Sequence, residues 1–161
     1  MAGFDFIALG LLVLLLLPIV LIDLRESRIP NLCNLALGAV GLGQAVVRVP
    51  EWTTLGVGLA QGAVTFLALG GIAWVIQKID RNARIGWGDL KFLTAASLWV
   101  GVQGSLIVLI LASVVALLAT LALAPWRGGV KLREMQPFGP ALAVGLLAVT
   151  VTVFIRGAAG A

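Results

Sequence analysis

The chain contains no histidine and a single cysteine, Cys33. The first absence excludes histidine-based nucleophile triads and histidine-ligated zinc. The second excludes an internal disulfide framework and any Cys-x-x-Cys metal site. Charge is scarce too: 11% of the 161 residues are charged, where soluble domains carry about a quarter. With 61% hydrophobic residues and a mean hydropathy of +1.13, this is the composition of an integral membrane protein. The length suits one helical bundle and leaves no room for a second soluble domain. What remains for chemistry is a short list of carboxylates, and no metal or cofactor is expected.

The first apolar run, residues 6–22, has no basic segment before it and no small-residue cleavage pattern after it. It reads as a permanent helix, not a secretory signal. The net charge of +4 and the pI near 10.2 do not point to nucleic acid, because the Lys and Arg residues lie between apolar runs and not along one amphipathic face. They are better read as topology signals.

A spanning helix needs about 20 mostly apolar residues. On that scale the expected fold is all-α, a polytopic bundle of six transmembrane helices at about 4–22, 32–47, 55–77, 90–101, 105–124 and 137–155. Pro18 is expected to kink the first of them. The fourth run is short enough to be re-entrant, and charge decides its reading. The connections at 23–31, 78–91 and 125–136 hold Arg25, Arg28, Lys78, Arg81, Arg84, Lys91, Arg127, Lys131 and Arg133, nine of the eleven basic residues. Six spans gather all nine on one face, which the positive-inside rule makes cytoplasmic, with both termini outside. Gly38, Gly41, Gly43, Gly56, Gly58, Gly62, Gly70 and Gly71 are expected to let helix backbones approach closely.

Of the seven acidic residues, Asp5 and Glu51 fall on the outer face as boundary charges, while Glu26, Asp80 and Glu134 sit among basic residues as solvated partners. Asp23 and Asp89 differ, because each touches an apolar run at the cytoplasmic side. Each has a structural alternative: Asp23 ends the first helix beside Arg25 or Arg28, and Asp89 caps the N-terminus of the fourth. Taken as a pair on one face they favour function, since ionisable groups at membrane depth are costly. Two carboxylates reaching one water are the machinery of an aspartic protease, in which one takes a proton from water while the other polarises the scissile carbonyl. Gly86 and Gly88 would free the loop backbone and admit a substrate, whereas Lys91 suits snorkelling to the headgroups. Ile29-Pro30-Asn31 reads as an extended turn with Asn31 capping the second helix. Pro137, Gly139 and Pro140 suit a helix start.

The segment Asp23-Leu24-Arg25-Glu26-Ser27-Arg28-Ile29-Pro30-Asn31 is similar to the Asp-to-Ile-Pro-Asn segment of the type IV prepilin peptidases. Gly86-Trp87-Gly88-Asp89-Leu90-Lys91 resembles their Gly-x-Gly-Asp-x-Lys motif, and Pro137-Phe138-Gly139-Pro140-Ala141-Leu142-Ala143 resembles a third signature at the start of the last helix. The resemblance implies a multi-pass aspartyl protease of the cytoplasmic membrane that removes the short basic leader of prepilins or pseudopilins. It implies Asp23 and Asp89 as the catalytic pair, with Gly86, Gly88, Lys91, Pro30, Asn31, Pro137, Gly139 and Pro140 shaping the site or meeting substrate. Many members carry a preceding four-cysteine extension and also methylate the new N-terminus. With only Cys33, this chain resembles the protease-only form of tight-adherence pilus systems: a single peptidase domain over 1–161, without methylation. Two other readings stand beside it: a small proton-coupled transporter, whose acidic groups would lie near the bilayer midplane, and an inactive assembly subunit with the same fold, whose two aspartates would lie apart.

Overall fold

The computed structural model describes residues 2–81, 86–123 and 137–159. Among them the chain forms five helices and no strand: α1 (Ala2–Glu26), α2 (Asn31–Arg48), α3 (Trp52–Ile79), α4 (Trp87–Leu123) and α5 (Gly139–Ala159). Of these, α1, α3, α4 and α5 are long and apolar enough to cross a membrane. The 18-residue α2 carries Asn31, Asn34, Gln44 and Arg48 and is not among the four. Arg84, Arg127, Lys131, Arg133 and Glu134, and with them the third basic connection, lie outside the described residues.

Where separate fourth and fifth helices are expected, α4 runs through both, but its backbone breaks at Gly101 (φ 76°, ψ 175°). That region is open essentially to glycine alone. Unbroken, 37 residues would reach about 55 Å, well beyond a hydrocarbon core of about 30 Å. Instead the chain reverses. In the first half, 87–100, Leu90 lies beside Gly70 and Leu98 beside Gly62, so this half runs antiparallel to α3. In the second half, 102–123, Gly104 lies beside Val149 and Val108 beside Gly145, so it runs antiparallel to α5. Replacing Gly101 by Ala should therefore destabilise the fold by about 1–3 kcal/mol. The readout is a lower thermal midpoint in detergent, and an unchanged midpoint would show that the reversal does not depend on glycine.

Small residues set the packing, as they do where lipid removes any hydrophobic drive between helices. A side chain at Gly41 would strike the Trp99 ring at 2.5 Å, and one at Gly38 would meet Leu98 at 3.2 Å. The buried Trp99 in turn donates from Nε1 to the Leu37 carbonyl at 2.8 Å, tying α2 to α4. Gly58, Gly62 and Gly70 also face neighbouring helices, but Gly43, Gly56 and Gly71 have nothing within 4 Å. The expectation of close packing therefore fails for these three. Around this centre, α1 packs on α2 and α5, and α4 packs on α2, α3 and α5.

The successive segments alternate in direction, so one end of the bundle collects the C-terminus of α1 and the N-termini of α2, α4 and α5. The opposite end is held by Arg48, which pairs with Asp5 at 2.7 Å and stacks on Phe154 with its guanidinium 4.1 Å from the ring centre. Asp5 is therefore not an isolated boundary charge; it helps join α1 to α2.

Candidate active site

Asp23 lies in the last full turn of α1, three residues before the helix ends at Glu26. The helix outlasts its expected end at Ile22, because Ser27 takes a left-handed conformation (φ 50°) and its N–H closes the final turn on the Asp23 carbonyl at 2.8 Å. The Asp23 side chain is only 3% exposed, and its Oδ2 accepts a hydrogen bond from the Gly139 backbone N–H at 2.7 Å. Gly139 is the first residue of α5, where amides have no partner inside the helix. A carboxylate from another helix supplies that partner. The alternative, a pairing with Arg25 or Arg28, does not form among the described residues; Arg28 instead meets Glu26 at 3.1 Å at the surface.

Asp89 stands in the first turn of α4. It is not the cap residue, because the helix begins at Trp87 and Leu90 N–H already bonds to the Gly86 carbonyl at 3.2 Å. Its partly buried carboxylate lies against Gly86, where any side chain would collide with Oδ2. Gly88 is helical, so its lack of a side chain serves close approach and not unusual backbone angles. A Cβ there would stand 3.4 Å from the backbone nitrogen of Ile29.

The link between the two aspartates is the segment that follows Asp23. Among the described residues α1 does not pack on α4 directly, contrary to the simplest way of bringing the aspartates together. Instead the 27–31 connection and the start of α2 lie over the start of α4. The buried Asn34 donates from Nδ2 to the Gly88 carbonyl at 3.3 Å, and the exposed Lys91 donates from Nζ to Asn31 Oδ1 at 2.8 Å. Pro30 (φ −64°, ψ 140°) precedes α2 in extended conformation, and Asn31 is the first helical residue. Asn31 therefore does not cap α2 as expected. Its side-chain oxygen accepts from Lys91 instead. At the other flank, α5 brings Gly139 to Asp23 with Pro137 just before the helix and Pro140 inside its first turn. Both carboxylates end up at this end of the bundle, Asp23 against the first residue of α5 and Asp89 against Gly86.

All ten residues singled out in the sequence thus fall at one end of the bundle, and three separate segments meet there. A family model described as the type IV leader peptidase family matches residues 10–121. The chain belongs to that family. It is similar to relatives that each bear the name prepilin leader peptidase/N-methyltransferase. The protein from Burkholderia pseudomallei is 31% identical over 130 residues, covering 81% of this chain and 41% of the relative. That from Aeromonas hydrophila is 30% identical over 154 residues, covering 88% and 48%, and that from Pseudomonas putida is 30% identical over 135 residues, covering 83% and 46%. The chain therefore spans less than half the length of these relatives. No solved structure matches it.

Sequence reasoning missed Asn34, which joins α2 to the Gly88 carbonyl. The available signal was its spacing of three from Asn31, which puts both side chains on one helix face. The same reasoning placed Gly139 among the residues shaping the site, but not the bond from its amide to Asp23.

Proposed function

We propose that this type IV leader peptidase is a membrane aspartyl endopeptidase that removes the short basic leader from prepilins or pseudopilins, with Asp23 and Asp89 as its catalytic pair. The observation that carries the proposal is the convergence of both carboxylates at one end of the bundle, one buried and bonded to the start of α5, the other beside Gly86. Two carboxylates at close range do not both ionise readily. The ionised one takes a proton from a bound water, and the resulting hydroxide attacks the scissile carbonyl. The protonated one donates to the carbonyl oxygen, and as the tetrahedral intermediate collapses a proton passes to the leaving amine.

The active site would lie at the cytoplasmic face of the inner membrane. Arg25, Arg28, Lys78, Arg81 and Lys91 lie toward the aspartate end, while Arg48 and Arg156 lie at the other, which by the positive-inside rule supports that orientation and non-cytoplasmic termini. Six alternating helical segments, counting α4 as two around Gly101, form one peptidase domain in this reading. Both aspartates stand at helix ends and not mid-span, which favours hydrolysis at a boundary over proton-coupled transport. Their placement at the same end of the bundle disfavours an assembly subunit with separated acids.

The test is reconstitution in liposomes with a prepilin whose leader is basic, followed by intact mass measurement. Loss of the leader mass at the junction between basic and apolar sequence is the expected result. An uncut prepilin under conditions where the protein is folded would reject the reading.

A further inference from the structure

Asn34, near the start of α2, is 6% exposed and uses only one half of its amide. Its Nδ2 donates to the Gly88 carbonyl at 3.3 Å, while its Oδ1 is sealed and has no hydrogen-bond partner among the described residues. A sealed acceptor without a donor destabilises a fold, whereas an apolar side chain of the same shape leaves nothing unpaired. Leucine has nearly the shape of asparagine and the higher helix propensity. For stability alone, leucine would serve better.

Nor does the packing of α2 on α4 depend on Asn34. Gly38 admits Leu98 and Ala95, and Trp99 bonds to the Leu37 carbonyl. What asparagine brings is a donor, and the carbonyl that takes it belongs to the peptide unit joining Gly88 to Asp89. That unit needs holding. It lies in the first turn of α4, where helices fray. Gly88 lets Ile29 come within 3.4 Å of where a Cβ would stand, but the same missing side chain leaves the backbone freer to move.

We propose that Asn34 is a positioning residue that, through the Gly88 carbonyl, holds the backbone of Asp89 and so aims its carboxylate at the reacting water. The inference rests on the peptidase reading and deepens it. The unpaired Oδ1 is tolerated because no apolar side chain could donate to Gly88.

Stability and turnover then part at this position, and two variants measure the separation. Asn34→Leu and Asn34→Ala both remove the donor, but leucine fills the space and alanine empties it. The thermal midpoint in detergent should stay at or above wild type for leucine and fall for alanine. On a prepilin in liposomes kcat should fall about tenfold in both, the worth of one lost hydrogen bond, with KM changed by less than about twofold. Thr150→Val is the control. Thr150 is fully buried in α5 and its Oγ1 is also unpaired, so valine should hold or raise the midpoint and leave kcat unchanged.

Full kcat in Asn34→Leu, turnover that follows the midpoint across the three variants, or a KM effect alone overturns the proposal. Amide hydrogen exchange over residues 87–92 needs no turnover. It should quicken about tenfold in both Asn34 variants, as the local opening equilibrium loses one bond, and not in Thr150→Val. Unchanged exchange also overturns the proposal. A wild type that cuts no prepilin counts instead against the peptidase reading, and exchange still decides whether Asn34 holds the first turn of α4.

Discussion

Replacing either Asp23 or Asp89 by asparagine is expected to reduce leader cleavage by about 10³-fold or more, since positioned proton transfer alone contributes about 10²–10⁴-fold. Asparagine keeps the size of each side chain. At Asp23 it also keeps an oxygen to accept from the Gly139 N–H, now 2.7 Å away, so the α1–α5 junction survives. What disappears is the ability to exchange a proton. The check is a cleavage time course in liposomes alongside a thermal melt, with activity lost and the melting midpoint held near wild type.

Replacing Gly139 by valine is expected to reduce kcat by about 10²-fold, the cost of misplacing a reacting group by roughly 1 Å. A Cβ at this position would lie 2.8 Å from Asp23 Oδ2 and 2.9 Å from its Cβ and Cγ. The carboxylate is held on a buried backbone and cannot yield as a flexible side chain would, so it must rotate away from the Gly139 amide. The predicted signature is a fall in kcat with KM little changed, because the substitution displaces Asp23 and leaves the α2–α4 contacts at Asn31, Asn34 and Lys91 in place. A KM effect alone would mean that Gly139 contacts substrate without orienting Asp23.

Position at the edges of apolar runs singled out Asp23 and Asp89, and the resemblance to type IV prepilin peptidases singled out the three segments, which the fold gathers at one end of the bundle. The way they meet was not. Spacing along the chain carries no information on which helices touch, so the 27–31 connection acting as the bridge, in place of an α1–α4 contact, emerges only in three dimensions. Asn31 illustrates the same limit. Its type and place suit a helix cap, yet Lys91, remote in sequence, competes for its oxygen and takes it. Gly101 shows the reverse case: the sequence marks a boundary between two apolar runs near it, and the backbone angles show that the chain turns at that residue.

The most direct test of the central claim, that Asp23 and Asp89 form one catalytic unit, is the single-turnover cleavage rate of Asp23→Asn, Asp89→Asn and the double variant, measured side by side. Residues acting as a unit are strongly non-additive, so the double variant should be no slower than the slower single variant by more than a few-fold. Two independent losses that multiply in the double variant, or either single variant cutting at near wild-type rate, would contradict the account.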